Sequence, residues 1–350
     1  MATISGDRVT MDYNLNNLKV SIIIVTYNSE WDIQRCIDSI LEQTFEPFEI
    51  LIVDNASTDN TVNLIHEKYP KLRVIRSHEN VGFGGGNNIG VKYATGDVIA
   101  FLNPDTVVLN HWLEELVKPL VRGGKIITTS KILTYDGSMI NTCGNVIHFT
   151  GLAFTRGYGS DPTSYSRPEY VTEASGCSFA IWNEDFIDIG GFDETIFLYH
   201  DDVDFSIRAH LKGYNILFVP SSTVKHNYTL NVTAQKLYHL ERGRYIILRK
   251  YYSPYDIAKI SPSLFVAELL AFGYALSLGY SGFRSCLQGM KEGLTVKVQR
   301  VSGDKEKLLH SVSAKIPEGQ LTNNALSRAA VSFANKLFKV NSRLLREGST

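Results

Sequence analysis

Apolar residues in the first hundred positions follow two periods in turn. Val20–Thr26 (VSIIIVT) is a short β-branched run that fits a strand buried on both faces. Ile33, Ile37, Ile40 and Leu41 then recur on one helical face. Glu49–Val53 is a second strand, and Ser57, Thr58 and Asp59 offer N-caps for a helix carrying Val62 and Ile65. Leu72–Ile75 and Val98–Leu102 are two further strands. Strands alternating with helices predict parallel βαβ units in a doubly wound sheet.

From about Gly123 the pattern becomes irregular. Phe179–Trp182 and Ile216–Val219 read as strands, Asp202–Leu211 as a short helix, and residues 234–252 as a helix carrying Lys236, Arg242, Arg244, Arg249 and Lys250. Residues 263–283 are the most apolar stretch, with Glu268 as their one charge. They are long enough to span a bilayer. Their three glycines and central Glu favour a buried or interfacial helix instead. Further on, Leu326, Ala330, Phe333, Leu337, Val340 and Leu344 form a stripe at helical spacing. Arg328, Lys336, Lys339, Arg343 and Arg346 lie around it. Such a helix fits an anionic membrane surface, or docks on its own protein. The pattern leaves both open.

The 350 residues carry a net charge of -1, so the total gives no reason to expect nucleic-acid binding. The charge is uneven. Arg284–Thr350 holds 12 Lys/Arg against 5 Asp/Glu, a net +7 that leaves about -8 on the preceding body. Cys36, Cys143, Cys177 and Cys286 lack metal-ligand spacing and read as core residues of a reducing compartment. The first 18 residues read as a polar leader without a secretion pattern. The sequons at Asn55, Asn227 and Asn231 are then chance matches. The expected location is the cytoplasm, peripherally on the cytosolic face of a membrane.

Ligands of open α/β sheets bind at the carboxyl ends of the strands. Asp54, Asp105 and the pair Asp201-Asp202 each follow an apolar run, and His226 follows the last of them. Tyr27, beside Thr26, has two readings: a platform for a base or packing under a loop. Asn80–Gly90 (NVGFGGGNNIG) matches neither GxGxxG nor GxxxxGK[ST]. It reads equally as a phosphate-approaching turn and as tight packing on the sheet. Asn103-Pro104-Asp105 ends its strand at the proline and leaves Asp105 at the cleft, where one carboxylate suits Mg²⁺ or Mn²⁺. Asp201, Asp202 and Asp204 crowd a helix start. This is simple capping by one reading and a base with a raised pKa by the other. His226 is a structural histidine or a ligand that Mn²⁺ accepts.

In combination TYN, DNASTD, NVGFGGGNN, NPDT, GGFDE, DDVDFSIR and a later His resemble the inverting family-2 glycosyltransferases, in particular their rhamnosyltransferase-like branch. The resemblance spans about Val20 to Tyr252. It implies an α/β chain: a GT-A catalytic domain (Rossmann-like, doubly wound mixed sheet) over residues 19–252, then a mostly helical C-terminal region. That region divides into an apolar and basic part at 253–300 and a basic amphipathic tail at 301–350. By position Thr26, Tyr27, Asp54, Asn80 and Asn103 would face the nucleotide-sugar, and Asp105 and His226 would hold a divalent cation, Mn²⁺ or Mg²⁺. Asp202 would be the base with Asp201 beside it, and Gly191, Phe192, Asp193 and Glu194 would border the acceptor.

Two positions depart from the family pattern. Asn103 stands where the DxD motif has its first carboxylate, which loosens metal affinity. Asn55 stands where many relatives have Asp, which points to a different base, thymidine over uridine. The implied reaction moves a sugar, rhamnose in that branch, from a nucleoside-diphosphate sugar to a hydroxyl of a glycan or polyprenyl-linked acceptor at a membrane surface. A homodimer through the tail stays open. A sugar-1-phosphate nucleotidyltransferase is disfavoured, because Tyr27-Asn28-Ser29-Glu30 replaces the expected Gly-rich basic loop. The remaining alternative is a non-catalytic nucleotide-sugar-binding scaffold.

Overall fold

A computed structural model describes residues 15–228, 230–301, 304–317 and 325–346. Most of the predicted leader lies outside them. The first half alternates as predicted: β1 (Val20–Thr26), α1 (Ile33–Leu41), β2 (Glu49–Asp54), α2 (Thr61–Lys68), β3 (Arg73–Arg76), α3 (Gly82–Tyr93) and β4 (Val98–Leu102). Next come β5 (Thr106–Val108), α4 (Trp112–Val117), β6 (Ile126–Thr134), β7 (Ile140–Thr142), β8 (Asn145–Ile147), β9 (Ala153–Thr155), β10 (Glu169–Val171) and β11 (Ser178–Trp182). The chain continues through α5 (Asn183–Ile189), α6 (Asp201–Leu211), β12 (Asn215–His226), α7 (Ala234–Tyr251), α8 (Pro254–Ser277), α9 (Gly279–Thr295), α10 (Lys305–His310) and α11 (Ala325–Arg346).

The main sheet runs β3-β2-β1-β4-β11-β6-β12-β10. The pairs among β1 to β4 are parallel, β11 is antiparallel to β4 and β6, and β12 returns parallel to β6. It is therefore a mixed sheet. Alternate residues of each central strand enter different cores. Ile22, Ile24, Ile52 and Ala100 pack with α1 and α4, while Ile23, Val53, Ile99 and Phe101 pack under α5 and α6. Burial on both faces is why these strands read as near-continuous apolar runs.

The glycines of NVGFGGGNN lie inside α3, not in a turn before it. A Cβ on Gly86 would stand 2.6 Å from Val25 Cγ1, and one on Gly90 would stand 2.5 Å from Ile23 Cγ2. They let α3 sit on the sheet, which is the packing reading. The expected caps of α2 also shift by a few residues. Asn60 takes the cap position without a side-chain bond, and Asp59 Oδ1 receives Thr61 N at 3.0 Å.

The apolar stretch 263–283 is not one helix. It breaks at Leu278–Gly279, where Gly279 has φ +75°. Glu268 turns inward, accepting from Tyr245 Oη at 2.6 Å and pairing with the fully buried Arg244. Pro254–Ser277 remains long and apolar enough to cross a membrane by length and composition.

In α11 the docked face is Ala334, Phe338, Asn341 and Leu345, one position round from the predicted stripe. Asn341 meets α8 where Pro262 interrupts its ladder, accepting from Ser263 N at 3.2 Å and donating to Lys259 O at 2.7 Å. Phe333, Val340 and Leu344 of the stripe stay exposed beside Lys336, Lys339 and Arg343. The side chains of Leu326, Arg328 and Arg346 lie outside the described residues.

Candidate active site

The carboxyl ends of β1, β2 and β4 and the start of α6 surround one region. Thr26 and Asp54 are register partners on β1 and β2. Asp54 is fully buried. Its Oδ1 lies 3.5 Å from Thr26 Oγ1 and 3.3 Å from Ser57 N, and its Oδ2 has no hydrogen-bond partner. Tyr27 beside it is half exposed. Asn28, with φ +52°, is held by Ser57 and Thr58, so those two hydroxyl residues are turn formers. The buried side chain of Asn55 donates at 2.9 Å to both Asn80 Oδ1 and Gly82 O, and accepts from Val81 N at 3.0 Å. Asn55 and Asn80 thus pin the turn into α3. Asn55 spends its amide there, which removes the thymidine argument.

A cavity of about 570 Å³ opens past the end of β4, and Thr26, Tyr27, Asp54 and Asn80 are not among the residues that line it. Asn103, Asp105, Glu173, Asp201, Asp202 and His226 line its polar side. Antiparallel pairing of β5 with β12 brings Asp105 to His226, whose Nε2 lies 3.0 Å from Asp105 Oδ1. Burial opposes a charge on His226, but Cys177 and Asp105 outweigh it and push its pKa up to about 10. A cation bound by this pair would have to displace the imidazole proton. One imidazole and one carboxylate fit Mn²⁺, with diphosphate oxygens and water completing the shell. Among the described residues no three His, Cys, Asp or Glu side chains form a metal cluster.

Two consecutive residues with positive φ, Tyr199 at 58° and His200 at 65°, aim the start of α6 into the cavity. Such backbone costs about 1–3 kcal/mol per residue and collects at functional sites. Close packing maintains it: a Cβ on Gly243 of α7 would stand 2.8 Å from His200 Cβ. Asp202 Oδ2 accepts from Gly176 N at 3.1 Å, Oδ1 accepts from Val203 N at 3.0 Å, and Glu173 adds a side-chain hydrogen bond. Burial raises all three pKa values, and the charge of Asp202 adds to the rise at Asp201 and Glu173. The two neighbours are raised well above the ordinary carboxylate range. Of the three, Asp202 has the most donors, which support its charged form best.

Gly191–Glu194 do not line this cavity. Phe192 packs edge-on to Phe83 and Phe101 in the core. Asp193 pairs with Lys250 at 2.5 Å, and Glu194 accepts from Asn88 at 3.0 Å. The motif braces α3 and α7 around the site. Glu173 and Lys236, which do line the cavity, carry no distinctive sequence signal. Glu173 follows a three-residue strand, and Lys236 is one cation among five on its helix.

A glycosyl transferase family 2 model matches residues 21–204, just over half of the chain. The chain belongs to this family. The family-2 chain is 31% identical over 209 residues to the glycosyltransferase YwdF of Bacillus subtilis, covering 59% of this chain and 73% of that one. It spans less than two thirds of several other curated relatives. Its fold matches TarS 1-349 of S. aureus in complex with UDP-GlcNAc, with a TM-score of 0.53 at 18% identity over 95% of this chain and 92% of that one. It also matches GalNAc-T7 with UDP, GalNAc and Mn²⁺, with a TM-score of 0.59 at 21% identity over 81% and 56%. The GT-A architecture expected from the motifs is thus the architecture found.

Proposed function

We propose that this family-2 enzyme transfers a sugar, with inversion, from a nucleoside-diphosphate sugar to a hydroxyl of a lipid-linked or cell-surface glycan. The observation that carries this reading is the placement of Asp202: a carboxylate at the cavity wall, held by two backbone N–H groups and flanked by Asp201 and Glu173, whose pKa values burial and the charge of Asp202 push well above the ordinary range. Asp202 takes the proton of the acceptor hydroxyl as its oxygen bonds to the anomeric carbon. The bond from that carbon to the diphosphate breaks in the same step, so no covalent enzyme intermediate forms. Asp54, whose Oδ2 faces Arg76 Nε at 3.8 Å without a hydrogen bond, accepts from the base or ribose, and Tyr27 stacks on the base. Asp105 and His226 would hold a divalent cation, which supplies charge neutralisation for the departing diphosphate. The rhamnosyl preference rests on the motif resemblance alone.

A lipid-linked acceptor is supported by the other wall of the cavity. Leu152, Phe154, Leu237, Leu240, Leu270 and Tyr274 make it apolar, which suits hydrocarbon beside a glycan. The exposed Phe333, Val340 and Leu344 with Lys336, Lys339 and Arg343 suit an anionic membrane surface. The deciding experiment is a thermal-shift panel of nucleoside diphosphates and their sugars, with and without Mn²⁺. A rise with one nucleotide supports the reading and names the base. No rise with any of them contradicts it.

A further inference from the structure

We propose that Lys236 is the receptor for a phosphate oxyanion of the substrates, placed where the polar and apolar walls of the cavity meet. The inference rests on the transferase reading above and adds a group that no motif marks.

Lys236 sits in the first turn of α7 and is 8% exposed. Its ammonium contacts the Tyr228 hydroxyl and lies 4.4 Å from the centre of the Tyr228 ring and 5.2 Å from that of Tyr199. No carboxylate pairs with it among the described residues. The other cations of α7 are committed. Arg244 and Lys250 have carboxylate partners, Arg242 bonds Thr195 O and nears Glu292, and Arg249 donates to the carbonyls of Gly293 and Val296. Burial pulls the Lys236 pKa down to about 8, so the free enzyme holds this charge at a cost that a bound anion would remove.

The location names the anion. Tyr228 also stacks on His226, with ring centres 5.1 Å apart and planes 12° apart. Lys236 is therefore one aromatic ring away from the Asp105–His226 pair. Tyr199, on its other side, immediately precedes His200 and Asp201. A point charge there can take up the oxyanion of a phosphate ester or diphosphate, as a compact ammonium does. Two substrates of the proposed reaction carry that chemistry: the donor's diphosphate and the phosphate of a lipid-linked acceptor.

The test is calorimetric binding to the full-length protein of uridine, guanosine and thymidine diphosphates and of farnesyl phosphate, with EDTA and with Mn²⁺. Wild type is compared with Lys236→Met and Lys236→Arg. The Met variant should lose at least tenfold in affinity, and the Arg variant should stay within a few-fold of wild type. Loss confined to the nucleoside diphosphate assigns the oxyanion to the donor, and loss confined to farnesyl phosphate assigns it to the acceptor. Equal binding by wild type and Met variant overturns the inference and leaves the transferase reading standing. Wild type binding no nucleoside diphosphate even with Mn²⁺ overturns that reading as well. Should Lys236→Met not fold, Lys236→Gln replaces it in the same comparison.

Discussion

His226 Nε2 and Asp105 Oδ1 lie 3.0 Å apart although 121 residues separate them in the chain. The contact is a product of register. Antiparallel pairing sets His226 opposite Thr106, so a strand of three residues fixes which carboxylate the imidazole meets. With the first carboxylate of the metal motif missing, this pair is what we propose as the cation-binding end of the site.

Asp105→Asn and His226→Ala should each weaken Mn²⁺ binding by about tenfold or more. Isothermal titration with Mn²⁺ in the presence of a bound nucleoside diphosphate would measure it. Unchanged affinity in both variants would remove the metal from this pair. In the metal-free protein the folded pKa of His226, about 10, lies above its ordinary 6.5. Its contribution to stability is therefore fully present below about pH 6.5 and is lost as pH rises through about 10.

His148 and His200 have the opposite sign. Burial and the nearby Arg244 guanidinium depress them to about 3 and about 4, although a hydrogen bond from His200 to Gly151 O opposes the shift. The unfolded chain takes up protons near pH 6.5 that the folded chain refuses. Stability should fall as pH drops from about 6.5 towards 4. Thermal melts across that range would show it, and His148→Gln should flatten the slope.

Asn55→Asp tests whether this position reads the base or supports a turn. The variant would put a carboxylate against Asn80 Oδ1 and Gly82 O, two acceptors now served by the Asn55 amide. The cost should be about 1–3 kcal/mol in urea unfolding. A stable variant with altered nucleotide preference would restore the base-reading role.

Gly90→Ala asks the same of the glycine cluster. Its Cβ would stand 2.5 Å from Ile23 Cγ2 and 3.2 Å from Val53 Cγ2. Overpacking of this kind costs about 1–3 kcal/mol, read from the shift of the urea midpoint. A variant of unchanged stability but weaker nucleotide binding would return those glycines to the phosphate.

The parts of the fold legible in the sequence were those with a local period. The strands β1, β2 and β4 and the helix α1 announce themselves because each buries a continuous apolar face. That Asp105 and Asp202 would come to one cavity was legible because strand ends and helix starts mark where a cleft falls. Glu173 and Lys236 were not, because their importance comes from which distant carboxyl or ring they meet. That GGFDE would lie off this cavity was not legible, for the converse reason. Its polar residues look free in sequence, yet Asp193 is taken by Lys250 and Glu194 by Asn88. In α11 the period was right and the face was not. Asn341, a polar residue, docks it on α8 and leaves Phe333 and Val340 outside.

The assignment of Asp202 as the base is open to one direct substitution. Asp202→Asn keeps the shape and the hydrogen bond from Gly176 N but cannot take a proton. The measurement is single-turnover transfer from the donor identified by the thermal-shift panel, alongside donor affinity. Transfer should fall by about 10²-fold or more, with donor affinity within a few-fold of wild type. Full turnover in that variant would contradict the assignment.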